Sequence, residues 1–211
     1  MTLIVGLTGG IASGKSTISS YYQSLNIPII DADIESRLAV EKGEPAYIKI
    51  AAHFGKEVLH SDGTLNRQKL GEIIFSNEEE RRVLNSIVHP DVRRRMEEKQ
   101  RQAVEAGEKV VILDIPLLFE NKLNHTVDRT ILVYVDQDTQ IARLMKRNDL
   151  SYEQALKRIN AQMPLQEKLA LADEVINNNG SMEESIHQAN RILKKWGVSL
   201  AEFHLLIENF R

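Results

Sequence analysis

The sequence predicts an α/β fold built on a parallel sheet, and two observations predict it. Short apolar runs rich in β-branched residues alternate along the chain with segments of helical apolar spacing. A glycine-rich turn carrying a lysine and a serine stands directly after the first of those runs.

The runs lie at residues 3–7, 27–30, 110–113, 130–135 and 174–176, each followed by turn or polar residues, and they read as buried strands. Helical spacing joins Val83, Leu84, Ile87 and Val88, then Ile141, Leu144 and Met145, then Met182, Ile186, Ala189 and Leu193. Two helix starts carry the capping-box pattern, Ser151 with Gln154 and Ser181 with Glu184, in which each side chain satisfies a backbone N–H of the other.

Residues 34–107 separate the second and third strands by far more than one crossover helix needs, so they are expected to form an inserted helical subdomain. A smaller insertion at 137–171 concentrates Arg143, Lys146, Arg147, Lys157 and Arg158 and is where a mobile basic lid would sit. The nucleotide-binding core then comprises residues 1–33, 108–136 and 172–197, and a tail at 198–211 places Leu200, Phe203, Ile207 and Phe210 on one face of a helix.

Composition narrows the class. With 211 residues, 42% of them hydrophobic, the chain can bury a sizeable core. A formal charge of −3 offers no global basic field for nucleic acid. The absence of cysteine excludes disulfides, thiolate metal sites and a cysteine nucleophile. The opening MTLIVGLTGG is too short an apolar stretch for a signal segment, and no run approaches a membrane span, so a cytoplasmic protein is expected, without membrane association or an evident obligate protein partner.

GGIASGKST, residues 9–17, satisfies G-x-x-x-x-G-K-[ST] with Gly9, Gly14, Lys15 and Ser16 in register. Glycines let successive N–H groups curl toward phosphate oxygens, and the helix that follows presents the positive end of its dipole to the same anion. Gly9, Gly10, Ile11, Ala12, Ser13 and Gly14 would form the cradle. Lys15 would reach the β- and γ-phosphates, Ser16 would offer its hydroxyl to Mg²⁺, and Thr17 would hold the α-phosphate side. A GTPase reading fails, because Leu117 stands where the switch glycine of D-x-x-G belongs, and Asn121-Lys122-Leu123-Asn124 lacks the aspartate of a guanine reader.

Phosphoryl transfer to a small hydroxyl needs a carboxylate near the γ-phosphate and cations over the transferring group. The second strand runs into Asp31-Ala32-Asp33, and strand alternation predicts that both carboxylates share a side. Asp31 is read as the cap of the next helix and Asp33 as the functional group. The Arg93-Arg94-Arg95 run, interleaved with Glu97 and Glu98, reads as a solvated helix face.

Taken together, GLTGGIASGKST, IIDAD at 29–33, His89-Pro90, DIPLLFE at 114–120, and Arg143 with Arg147 ahead of Gln162-Met163-Pro164 resemble the dephospho-coenzyme A kinase family over nearly the whole chain. Ala12 stands where that family often carries glycine, which requires a backbone angle open to alanine. The resemblance implies a three-layer P-loop core with a five-stranded parallel sheet, a helical coenzyme-substrate subdomain and a small helical lid. It implies transfer from ATP, with Mg²⁺, to the ribose 3′-hydroxyl of dephospho-CoA. Asp33 would be the base, with Lys15 and Arg143 completing the catalytic set. Arg143, Arg147 and Asn178 would join the loop in holding ATP, and Thr8, Asp33, Arg67, His89 and Leu117 would meet the acceptor. Asp114 would support Mg²⁺ or brace Lys15, and both roles stay open. His89 also has a structural reading, as a helix-start histidine before Pro90.

Overall fold

The computed structural model describes residues 1–198, and the predicted tail helix with Leu200, Phe203, Ile207 and Phe210 lies outside the described residues. The apolar runs become strands β1 (Leu3–Gly9), β2 (Ile29–Asp31), β3 (Val110–Asp114), β4 (Arg129–Tyr134) and β5 (Glu174–Asn177). Their order in the five-stranded sheet is β2-β3-β1-β4-β5. β1 pairs in parallel with both β3 and β4, and β4 pairs in parallel with β5. The register sets Leu7 opposite Asp114 and Gly9 opposite Val133, so the carboxyl ends of the three central strands finish together. In an open α/β sheet that end is the ligand crevice.

Two compact units divide the chain. The first comprises Met1–Ile29 with the chain from Ala103 onward, and the second comprises Ile30–Gln102. In the first, helix α1 (Lys15–Ser24) and helix α9 (Met182–Lys195) cover one face of the sheet. Period-two alternation produces the layers: Ile131 and Val133 join Val5, Leu7, Ile18, Tyr22, Ile192 and Leu193, while Leu132 between them joins Leu165 of α8 (Leu165–Lys168). The Tyr22 phenol is pushed up by burial in the first of these clusters. Helices α6 (Gln137–Asn148) and α7 (Tyr152–Ile159) form a hairpin with a core of its own, Ile141, Leu144, Ala155 and Ile159. Both predicted capping boxes are present, at the starts of α7 and α9.

The second unit holds α2 (Ala32–Ala39), α3 (Pro45–Phe54), α4 (Arg67–Ser76) and most of α5 (Glu78–Glu105). Ala46, Ile50 and Phe54 of α3 pack with Val58, Leu70 and Val88. Pro45 opens α3, where a missing N–H costs nothing, and Asn66 caps α4 by accepting from the Lys69 N–H at 3.0 Å.

Three expectations change here. Strand alternation does not relate Asp31 to Asp33, because the strand ends at Asp31 and Asp33 already lies in the first turn of α2. His89 is not at a helix start: α5 runs on through Pro90, with Val88 anchored in the apolar cluster of this unit. Arg95 is not on a solvated face. It pairs at 3.1 Å with Glu35, a carboxylate only 1% exposed, and at 3.2 Å with Glu44, while Lys99 binds the second Glu35 oxygen. Charge-run reasoning missed this because Glu35 lies 60 residues away in sequence.

Candidate active site

The loop between β1 and α1 turns on two left-handed residues, Ala12 at φ 61° and Gly14 at φ 90°. An L-residue in that region is strained, so Ala12 does not have the freely open angle the sequence reading asked for and the turn holds it at a cost. The turn is tight: the Ser13 N–H donates to the Gly10 carbonyl at 3.1 Å, and the Thr17 N–H to the Gly14 carbonyl at 3.0 Å. A Cβ on Gly9 would stand 2.5 Å from Ser13 Oγ, and one on Gly14 would stand 2.1 Å from Asn178 Nδ2. A side chain at either position would have to displace that neighbour, and at Gly14 the left-handed φ adds backbone strain. Helix α1 begins at Lys15, so its first N–H groups face the loop with the positive end of the helix dipole behind them.

Lys15 is salt-bridged to Asp114, whose side chain is 2% exposed at the end of β3. Of the two roles left open for Asp114, the brace on Lys15 is the one this geometry displays. Ser16 is exposed and Thr17 half-buried in the first turn of α1. Thr8 is fully buried, and its hydroxyl donates to the Pro116 carbonyl at 3.0 Å. Leu117, the residue after Pro116, is exposed.

Asn178, just past β5, joins four segments. Its Nδ2 donates to the Ser13 carbonyl at 2.8 Å, and its Oδ1 accepts from Ser185 Oγ at 2.8 Å. Its N–H reaches the Tyr134 carbonyl at 2.8 Å, and its carbonyl accepts from Arg143 Nη2 at 2.9 Å. Arg143 is thus half-buried and oriented, whereas Arg147, one turn on, is exposed and donates to the Asn148 side chain at 2.9 Å. Helix α6, which carries both arginines, is capped by Asp136, accepting from the Thr139 N–H at 2.7 Å. That backbone bond holds the Asp136 carboxyl below its ordinary range, and Arg143 adds to the same effect.

Four polar residues around the loop escaped the sequence reading. The Ile11 N–H donates to Gln162 Oε1 at 2.9 Å, and the Ile11 carbonyl accepts from Gln140 Nε2 at 2.8 Å. Ile11 and Ala12 also pack against the apolar core of the α6–α7 hairpin. Glu120 accepts from the Met163 N–H at 3.3 Å and pairs at 2.7 Å with Lys168, which is fully buried. Gln162, Met163 and Glu120 sit inside motifs that carried the resemblance, so a signal existed. Nothing in the pattern around Lys168 marked it.

The second unit carries the remaining candidates. Asp31 Oδ1 accepts from the N–H groups of Asp33 and Ile34 at 2.8 and 2.9 Å, the capping role expected of it. The Asp33 side chain is left exposed beside that cap. Arg67 opens α4 and donates to the Arg37 carbonyl of α2 at 3.1 Å, and His89 is exposed on α5.

The dephospho-CoA kinase family model matches residues 3–184. A dephospho-CoA kinase of Bacillus cereus is 55% identical over 198 residues, 94% of this chain and 99% of that protein. One from Oceanobacillus iheyensis is 54% identical over 199 residues, 94% of this chain and the whole of that protein. Among solved structures, TT1252 from Thermus thermophilus superposes with a TM-score of 0.81 at 33% identity, covering 92% of this chain and 97% of that one. Dephospho-CoA kinase from Campylobacter jejuni superposes with a TM-score of 0.72 at 28% identity, covering 93% of this chain and 98% of that one. A phosphate loop on a five-stranded sheet, a lysine held by the carboxylate ending β3, and similarity over nearly the full length agree: the chain belongs to the dephospho-CoA kinase family.

Proposed function

We propose that the chain transfers the γ-phosphoryl group of ATP to the ribose 3′-hydroxyl of dephospho-CoA, giving CoA and ADP as the last step of CoA synthesis. The observation that carries the reading is the phosphate loop itself, with Lys15 held on Asp114 at its mouth, in a chain of this family. The bond from the γ-phosphorus to the β,γ-bridging oxygen breaks, a bond to the 3′-oxygen forms, and ADP leaves with the electron pair. Loop N–H groups, Lys15 and Arg143 stabilise the charge on the transferring group. Asp33, exposed at the start of α2, aligns the hydroxyl and takes its proton late, since the transition state is loose. Arg67, His89 and Leu117 are the acceptor contacts of this reading. Thr8 supports it indirectly, through Pro116.

Among the described residues, no group of three or more His, Cys, Asp or Glu side chains is arranged to hold a metal ion alone. Ser16, with its exposed hydroxyl, and Asp114, with its carboxylate on Lys15, are the residues that would hold a Mg²⁺ brought by the nucleotide. It would supply charge neutralisation of the phosphates during transfer. Among the described residues no helix is long and apolar enough to cross a membrane. The need for ATP supports a cytoplasmic setting.

The test is ADP release with Mg·ATP against dephospho-CoA, adenosine, nucleoside monophosphates and pantothenate separately, with the phosphate position read by NMR. Turnover on dephospho-CoA alone, at the 3′-oxygen, is the expected result. Turnover on another acceptor would overturn the assignment.

A further inference from the structure

Lysine is among the residues least often buried, because its ammonium is strongly hydrated and burial must be offset by full pairing. Lys168 is fully buried, at the last residue of the short helix α8. Its ammonium has three donors and finds three acceptors. Nζ donates to the Gly9 carbonyl at 3.2 Å and to the Pro116 carbonyl at 3.4 Å, and it pairs with Glu120 Oε1 at 2.7 Å.

Those acceptors come from different parts of the first unit. Gly9 is the first residue of the phosphate loop and the last of β1. Pro116 follows Asp114, the brace of Lys15, and also receives the Thr8 hydroxyl. Glu120 accepts the Met163 N–H, one residue after Gln162 takes the Ile11 N–H. A single cation therefore joins the start of the loop, the segment after β3, and the return from the α6–α7 hairpin. None of these three partners lies between Gly10 and Thr17, so the ammonium acts on those loop residues through the Gly9 peptide.

We propose that Lys168 is a positioning residue for the phosphate loop, fixing the Gly9 carbonyl and with it the direction of the N–H groups that receive ATP. This rests on the kinase reading, but its first readout, nucleotide affinity, needs no acceptor.

Because the chain has no cysteine, the test can be made specific. In Lys168→Cys the new thiol is the only one present. Alkylated in urea by 2-bromoethylamine, the thiolate displaces bromide and yields a thioether ending in an ammonium at nearly the length of lysine. Alkylation by iodoacetamide gives a neutral side chain of similar size. Wild type, unmodified variant and both alkylated forms are refolded alike, and ATP binding is read by calorimetry. The unmodified and carbamidomethylated forms should bind ATP about tenfold more weakly, with the KM for dephospho-CoA moving less than about twofold. Aminoethylation should restore the affinity.

Removing Lys168 leaves the Glu120 charge uncompensated, so a double variant, Lys168→Met with Glu120→Gln, removes both charges and should show the same selective loss. Wild-type ATP affinity in the unmodified variant, equal behaviour of the two alkylated forms, or a chain that folds only with an ammonium at 168 would each overturn the proposal. The last would make Lys168 a folding residue. A wild type that binds ATP but does not phosphorylate dephospho-CoA would overturn the acceptor assignment and leave the Lys168 result standing.

Discussion

Asn178 Nδ2 donates to the Ser13 carbonyl at 2.8 Å, so the residue after the last strand of the sheet holds the phosphate loop from behind. Its Oδ1 is occupied by Ser185, leaving the side chain committed to protein rather than projecting toward a base. Asn178→Ala should therefore raise the KM for ATP by about tenfold through loss of loop geometry. Ser185→Ala should do the same more weakly. Steady-state kinetics with GTP as a second donor separates the readings. Loss of support affects both nucleotides alike, whereas loss of an adenine contact would weaken ATP selectively.

Lys15→Ala and Asp33→Asn should each reduce turnover by about a hundredfold or more. ATP affinity should fall in the first and persist in the second, because in the proposed reaction Asp33 acts on the acceptor. Calorimetric titration of both variants with ATP checks this, and an equal loss of affinity would remove Asp33 from its role.

The cap of α6 predicts an acid sensitivity. The Thr139 N–H bound to Asp136 holds its carboxyl below the ordinary aspartate range. A depressed carboxylate contributes stability that is present above the unfolded pKa and is lost as pH falls through the folded one. The contribution should thus disappear on acidification below about pH 4. Asp136→Asn retains a capping oxygen without a titrating proton, so its stability should show a shallower acid dependence than wild type. Urea denaturation between pH 3 and pH 6 measures the difference.

In the second unit, Glu35 compensates both Arg95 and Lys99. Glu35→Ala should cost about 2 kcal/mol, less than a wholly buried pair would, because Lys99 is 46% exposed and partly screened by solvent. Chemical denaturation followed by a probe in this unit reads the loss. A change under about 0.5 kcal/mol would mean the cluster adds nothing to stability.

Ser151→Ala, which removes one half of the α7 capping box, should cost about 1 kcal/mol and lower the melting temperature by about 2–4 °C.

How much of this was legible in the sequence depended on the range of each interaction. The strands, the phosphate loop and both capping boxes are set by neighbours a few residues apart, and they could be located from local pattern. The left-handed angle of Ala12 could not be read, because an alanine at that position pointed to an ordinary one. Interactions closed over long separations could not be read. Lys168 reaches Gly9 across 159 residues, and Asn178 reaches Ser13 across 165. Neither residue type distinguishes a buried strut from a surface side chain. The pairing of Asp31 with Asp33 on one side failed for a different reason: the strand stops one residue earlier than alternation assumed, and its last carboxylate turns back to start a helix.

Both peptide groups of Ile11 are engaged by glutamines that flank the α6–α7 hairpin, Gln140 near its beginning and Gln162 after its end. For anyone exchanging parts between kinases of this family, that fixes where the cut must fall. A hairpin moved without Gln162 would keep only half of its hold on the loop, and its apolar core would still be shaped to Ile11 and Ala12. The exchangeable module is the loop and the hairpin together, two stretches of chain separated by more than a hundred residues that behave as one part.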